Sequence, residues 1–236
     1  RLAWNERHLD LAALPEAAAA GRAAPSGPAV VDGDDLIDWP AEVLSVRTAL
    51  DAMVAGLADR RRAQLDEFTV ARPHVDELAR WRAEVEQHGP PTPGRPVTTD
   101  RPAAVLRHRY AQWAMDGQLA DLHHRLRGRG QSLFLDLPLG VHGDGFDVWR
   151  RPELFARGLE VGAPPDDFNP SGQGWGFPPL LPEASRADGH EYLRAGLAHQ
   201  LRHAGVVRID HVMALHRLWW RSEEHTSELQ SRSVIS

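Results

Sequence analysis

The stretch Gly205-Val-Val-Arg-Ile-Asp-His211 is a short β-branched run that ends in a carboxylate flanked by a guanidinium and an imidazole. Side chains alternate along a strand, so Arg208 and Asp210 share one face and Ile209 takes the other. A neighbouring arginine favours the charged form of a carboxylate. An ionised, oriented carboxylate is what nucleophilic attack on the anomeric carbon of a sugar requires. From these residues alone a structural Arg–Asp pair at a strand end is the reading to prefer, because short motifs in isolation are weak signals.

The elements that must present this carboxylate follow one grammar, used twice. Asp100 and Pro102 form a helix-start signal, Leu106, Tyr110, Trp113, Leu119, Leu122 and Leu126 a buried stripe, and Gly128 and Gly130 a stop; Ser132–Pro138 is then a short apolar strand carrying Asp136 near its end. In the second unit Asp188-Gly189 opens a helix with Tyr192, Leu193, Leu197 and Leu201 inward, Gly205 caps it, and Val206–Ile209 is the strand. Helix, glycine, buried strand and terminal acid is the pattern of an α/β barrel. Between the units, Leu139 to Ala187 is poor in periodicity and rich in Gly and Pro, which predicts a long functional loop. Its aromatics (Phe146, Trp149, Phe155, Phe168, Trp175, Phe177) argue against disorder and serve either a satellite core or the C–H faces of sugar rings.

Upstream, Leu11 to Pro28 predicts a short helix and a linker. A helix of about five turns is expected from Ala41, with Pro40 as its start signal, and another from near Pro73 to the loop at His88-Gly. The basic run Arg60-Arg-Arg62 is expected at a helix end, where cations complement the dipole.

Five segments change the weight of the first motif: Leu135-Asp-Leu-Pro-Leu-Gly-Val-His142, Gly143-Asp-Gly-Phe-Asp-Val-Trp149, Val161-Gly-Ala-Pro-Pro-Asp-Asp-Phe168, Gly172-Gln-Gly-Trp-Gly-Phe-Pro-Pro179 and Val207-Arg-Ile-Asp-His-Val-Met213. In this order and spacing they closely resemble the amylomaltase (4-α-glucanotransferase) family over about residues 106–220, with a weaker likeness back through Leu36–Trp39 to Leu2–Asn5. The resemblance implies an α/β fold, a partial (β/α)8 TIM barrel with helical insertions and a long aromatic-rich βα loop. It implies a retaining transfer of α-1,4-glucan segments to a glucan or glucose acceptor, without metal or organic cofactor. By motif position Asp210 is the expected nucleophile, with Arg208 and His211 beside it. Trp175 is expected to stack or hydrogen-bond near the cleavage point, Asp136 to lie in the donor pocket, and Pro165, Asp167 and Phe168 to lie on a loop covering the acceptor side. Double displacement needs two carboxyl groups about 5–5.5 Å apart. The family's acid/base and its third carboxylate belong to segments beyond the position of Trp220, so the chain is expected to be inactive alone. A catalytically silent glucan-binding piece and a hydrolase of the α-amylase group are the alternatives.

Composition sets the remaining bounds. A net charge of −6 disfavours nucleic-acid binding, and no leader or long apolar run is visible, so a cytoplasmic protein without membrane contact is expected. Cysteine is absent, which excludes disulfides and thiolate metal sites. His199 and His203 have zinc-pair spacing, but no acid completes the motif and the face is expected to be solvated; Asp32-Gly-Asp-Asp35 reads as a turn. Every basic residue of the 27 is arginine, whereas the last sixteen residues hold five serines, as many as the first 220. Residues 221–236 resemble a translated sequencing adapter and are expected to be a non-native, disordered tail. The chain thus divides into a helical insertion part at 1–100, a barrel segment at 101–220 and this tail.

Overall fold

The computed structural model describes residues 2–20 and 36–222. It forms two compact units, one of residues 3–89 and 97–122, the other of residues 90–96 and 123 onward. The expected division at residue 100 differs, because most of the helix that follows clusters with the N-terminal helices. Asp32–Asp35, the linker after Ala20 and the tail from residue 223 lie outside the described residues. Among the described residues no helix is long and apolar enough to cross a membrane.

The first unit is helical: α1 (Ala17–Ala20), α2 (Trp39–Ala55), α3 (Asp59–Val70), α4 (Pro73–His88) and most of α5 (Pro102–Arg127). Asp38 starts α2 by accepting the Ala41 amide at 3.1 Å, two residues ahead of the predicted start. α4 begins at Pro73 and stops at Gly89, whose φ of 81° glycine adopts without strain. The run Arg60–Arg62 is a correction: it occupies the first turn of α3, the wrong end for the dipole. Tertiary partners explain it, since Arg61 binds Glu16 at 2.6 Å and lies 4.1 Å over the Trp113 ring.

The first half of α5 is buried nearly all round, and not only along its predicted apolar stripe. Gln112 exchanges two hydrogen bonds with the Trp4 backbone, at 2.8 and 2.9 Å. Arg107 and His108, 5% and 3% exposed, meet Glu86 of α4, while Arg107 also takes Asp51 of α2. Burial alone would raise the pKa of Glu86; hydrogen bonds and charges of His108 and Arg107 outweigh it and hold the carboxyl at about 2.

The second unit contains β1 (Leu133–Leu137), α6 (Phe146–Arg150), β2 (Leu159–Ala163), β3 (Gln173–Gly174), α7 (Pro182–Ala187), α8 (Glu191–Leu201), β4 (Ala204–Ile209) and β5 (Trp219–Ser222). β1 and β4 pair in parallel, and α8 packs on both strands. A parallel pair needs a long crossover, which residues 138–203 supply. Gly205 lies inside β4 and not at a helix end. It is the unpaired residue where Leu133↔Ala204 steps to Phe134↔Val206, and a Cβ there would fall 2.4 Å from Ser132 Cβ.

The stretch 139–187 is not a structureless loop. It holds α6, α7 and the strands β2 and β3, which the later β5 completes into an antiparallel sheet of order β3-β2-β5, and Phe155 joins Val148, Leu154 and Tyr192 in a core cluster. The α8 stripe also differs from expectation: Tyr192, Gly196, His199 and His203 are buried whereas Leu201 is 52% exposed, so the histidine face is packed and not solvated. Strand β5 runs through Arg221 and Ser222, two residues past the expected start of a disordered tail.

Candidate active site

The ends of β1 and β4 are adjacent, with Asp136 opposite Arg208 in the parallel register. Cross-strand partners share a face, so the two side chains meet. Arg208 Nη2 donates to Asp210 Oδ1 at 2.8 Å and Nη1 to Asp136 Oδ2 at 3.3 Å, so one guanidinium spans two carboxylates. All three side chains are about half exposed (Asp136 57%, Arg208 52%, Asp210 48%). Phe134 and Val206, paired two residues earlier on the same face, are exposed at 62% and 48%. The Asp210 amide donates to the Leu137 carbonyl at 3.3 Å, which ties the carboxylate's own backbone to the end of β1.

Immediately after Asp210 the chain turns. His211 has φ 47° and ψ 63°, a left-handed conformation uncommon outside glycine. Its carbonyl accepts the Ala214 amide at 2.9 Å and starts the 3-10 turn Val212–Leu215. The imidazole meets the Trp175 ring edge to face, 5.2 Å between centroids at 78°. Trp175 thus reaches the chain segment that carries Asp210, and its indole donates to Gln173 Oε1 at 3.1 Å.

Glu160 was not predicted from the sequence, and it holds this segment. Buried in β2 at 8% exposure, it accepts the Gly176 amide at 2.9 Å and pairs with Arg221 of β5. A Cβ on Gly174 would lie 2.1 Å from Glu160 Oε1, so any larger residue there would push the carboxylate from its place. An acid within the apolar run Leu159–Ala163 was the available signal, although no spacing rule attaches a role to it.

Pro165, Asp167 and Phe168 are exposed, Phe168 at 93%. Their loop is organised by Asp166, whose Oδ1 accepts the amides of Phe168 at 2.9 Å and Asn169 at 2.6 Å. On the other side Asp210 lines a cavity of about 370 Å³ with mainly apolar walls, among them Leu137, Val161, Phe177, Ile209 and Trp220. No group of three metal-ligating side chains occurs among the described residues. The arrangement offers a fixed carboxylate, a cation across it, and an aromatic wall, which suits a neutral polyhydroxyl substrate attacked at one carbon.

The family profile described as 4-alpha-glucanotransferase matches residues 5–234. A 4-alpha-glucanotransferase of Mycobacterium tuberculosis (strain ATCC 25618 / H37Rv) is 38% identical over 173 residues, which is 70% of this chain and 24% of that relative. One from Haemophilus influenzae is 37% identical over 113 residues, 47% of this chain and 16% of its own length. Among solved structures, amylomaltase from Corynebacterium glutamicum superposes with a TM-score of 0.71 at 29% identity, over 81% of this chain and 28% of that one. Amylomaltase from Streptococcus agalactiae in complex with acarbose also gives 0.71, at 20% identity, over 83% and 45%. The chain spans about a quarter of the length of the first of these curated relatives.

Proposed function

The chain belongs to the 4-alpha-glucanotransferase family, and from that premise we propose that it carries the nucleophile half of a retaining α-1,4-glucan transfer site. The observation that bears this reading is the Asp136–Arg208–Asp210 bridge at the ends of two adjacent parallel strands. Asp210 attacks the anomeric carbon of the donor glucan, and a glucosyl ester forms as the glycosidic oxygen leaves with a proton. The acceptor hydroxyl then attacks that ester, loses its proton to the same acid/base, and Asp210 is released. Arg208 holds Asp210 in the attacking orientation and fixes Asp136, which binds donor hydroxyls. His211 and Trp175 form the wall beside the reacting ring, and Pro165, Asp167 and Phe168 lie over the acceptor-side chain.

The carboxylate that protonates the leaving oxygen is not among those gathered on Arg208. Asp136 and Asp210 share one guanidinium as acceptors, and neither is placed to donate. On this reading the Asp210 site among the described residues binds glucan without turning it over, and β1 and β4 are two neighbouring strands of a (β/α)8 barrel with Asp210 at its C-terminal mouth. A cytoplasmic setting, with which the cysteine-free composition is compatible, belongs to the same proposal.

Incubation with maltotriose tests this, read by calorimetry and by chromatography of the products. Binding that is lost in Asp210→Ala, with no longer or shorter oligosaccharides formed, is the expected result. Transfer products would refute the separation of nucleophile from acid/base, and absence of binding would refute the glucan site.

A further inference from the structure

The helical unit has a cavity of its own, about 370 Å³, framed by the turn Glu6–His8 and by α2, α4 and α5. Its floor is charged and buried, formed by Arg107 and His108. Its mouth is apolar and open, with Trp39 52% and Ile37 39% exposed. An ionic network that served only to join helices would close over itself. This one leaves a space at the lower end of the range for small-ligand cavities, about 300–1,000 Å³, with an aromatic lip.

Charge decides what fits. Arg47 and Arg107 converge on Glu86 at 3.1 and 2.5 Å, His108 adds a contact at 2.7 Å, and Arg101 stands 3.9 Å away. That one carboxylate serves four basic groups, Arg107 is held also by Asp51 at 2.7 Å, Glu6 takes Arg82 at 2.6 Å and Glu42 lines the same cavity. The guanidiniums of Arg7, Arg47, Arg82, Arg101 and Arg107 thus outnumber the carboxylates of Glu6, Glu42, Asp51 and Glu86. Arg7 has no carboxylate partner among the described residues, and its guanidinium lies 4.6 Å over the Trp39 ring. The planar, multi-donor guanidinium is matched to phosphate and carboxylate oxygens, and Arg47 and Arg82 are each about one-third exposed, with donors left to offer. Beside these cations the Trp39 face supplies the surface on which a sugar's C–H groups pack.

We propose that this cavity binds the phosphate monoester of a monosaccharide, with the phosphate on Arg7, Arg47 and Arg82 and the ring against Trp39 and Ile37. It lies within the helical unit and owes nothing to the glucan reading of the Asp210 site. A cavity of about 370 Å³ is of a size to hold one sugar ring and its phosphate.

Calorimetric titration of the full chain with glucose 6-phosphate, glucose and inorganic phosphate tests it. Glucose 6-phosphate is expected to bind saturably, at least tenfold tighter than glucose or phosphate alone, and more weakly as salt rises. Arg7→Gln, at an exposed position that leaves the fold intact, is expected to weaken it about tenfold, as is Trp39→Ala. Arg60→Gln, outside the cavity, leaves the affinity unchanged, and Arg7→Gln leaves maltotriose binding unchanged. Lack of saturable binding, affinity indifferent to Arg7→Gln and Trp39→Ala, or phosphate alone binding as tightly as the sugar phosphate would each overturn the proposal.

Discussion

Two arginine–carboxylate constellations in this chain have similar chemistry and opposite energetics, because one is exposed and the other buried. Arg208 bridges Asp136 and Asp210 with every side chain about half in solvent, where ion pairs contribute only about 0–1 kcal/mol. Arg208→Lys is therefore expected to change unfolding free energy by less than about 1 kcal/mol. A lysine cannot span both carboxylates, so maltotriose affinity should fall about tenfold, roughly 1.4 kcal/mol, in calorimetry. Glu86 is the reverse case. It is 6% exposed and surrounded by cations, and removing one partner of a buried pair leaves the other charge stranded. Glu86→Gln should cost about 3–5 kcal/mol in urea unfolding at neutral pH. The pH dependence has a definite sign: the folded pKa of about 2 lies below the ordinary 4.5. Glu86 thus adds stability that is complete above about pH 4.5 and is lost as pH falls toward 2, detectable as a stability decline across that window.

At the scale of elements, the parallel pair depends on a close approach that only a missing side chain permits. With Ser132 Cβ 2.4 Å from where a Cβ of residue 205 would stand, Gly205→Val is expected to destabilise by about 1–3 kcal/mol in thermal unfolding. The loop around Asp166 makes the opposite prediction. Phe168 is 93% exposed, so Phe168→Ser should leave stability within about 0.5 kcal/mol. If the loop covers the acceptor side, the same change weakens maltotriose binding. Legibility also varied by element. α2, α4, β1 and β4 were readable because apolar spacing, prolines and glycines mark them. The elements within 139–187 were not, since β2 and β3 are short and owe their pairing to residues distant in sequence, including β5.

For the whole molecule, the consequence lies in what the parallel sheet leaves uncovered. Phe134 and Val206 stand on the Asp136–Arg208 face at 62% and 48% exposure, and β1–β4 is a two-stranded sheet among the described residues. Open edges and an apolar face invite association. Light scattering should show concentration-dependent self-association, reduced in the double variant Phe134→Lys, Val206→Thr. The sequence by itself determined the family, the principal helices, the two strands and the motif that ends in Asp210, because spacing and motif order are local properties of the chain. Tertiary structure decided which side chains meet: that Arg208 serves both Asp136 and Asp210, that Glu160 holds the Trp175 segment, that Arg61 is tolerated at the wrong end of a helix, and that Arg107 and Glu86 share a buried network. Those pairings join residues up to 72 positions apart, and no local pattern encodes the low-dielectric surroundings that give a charge its partner.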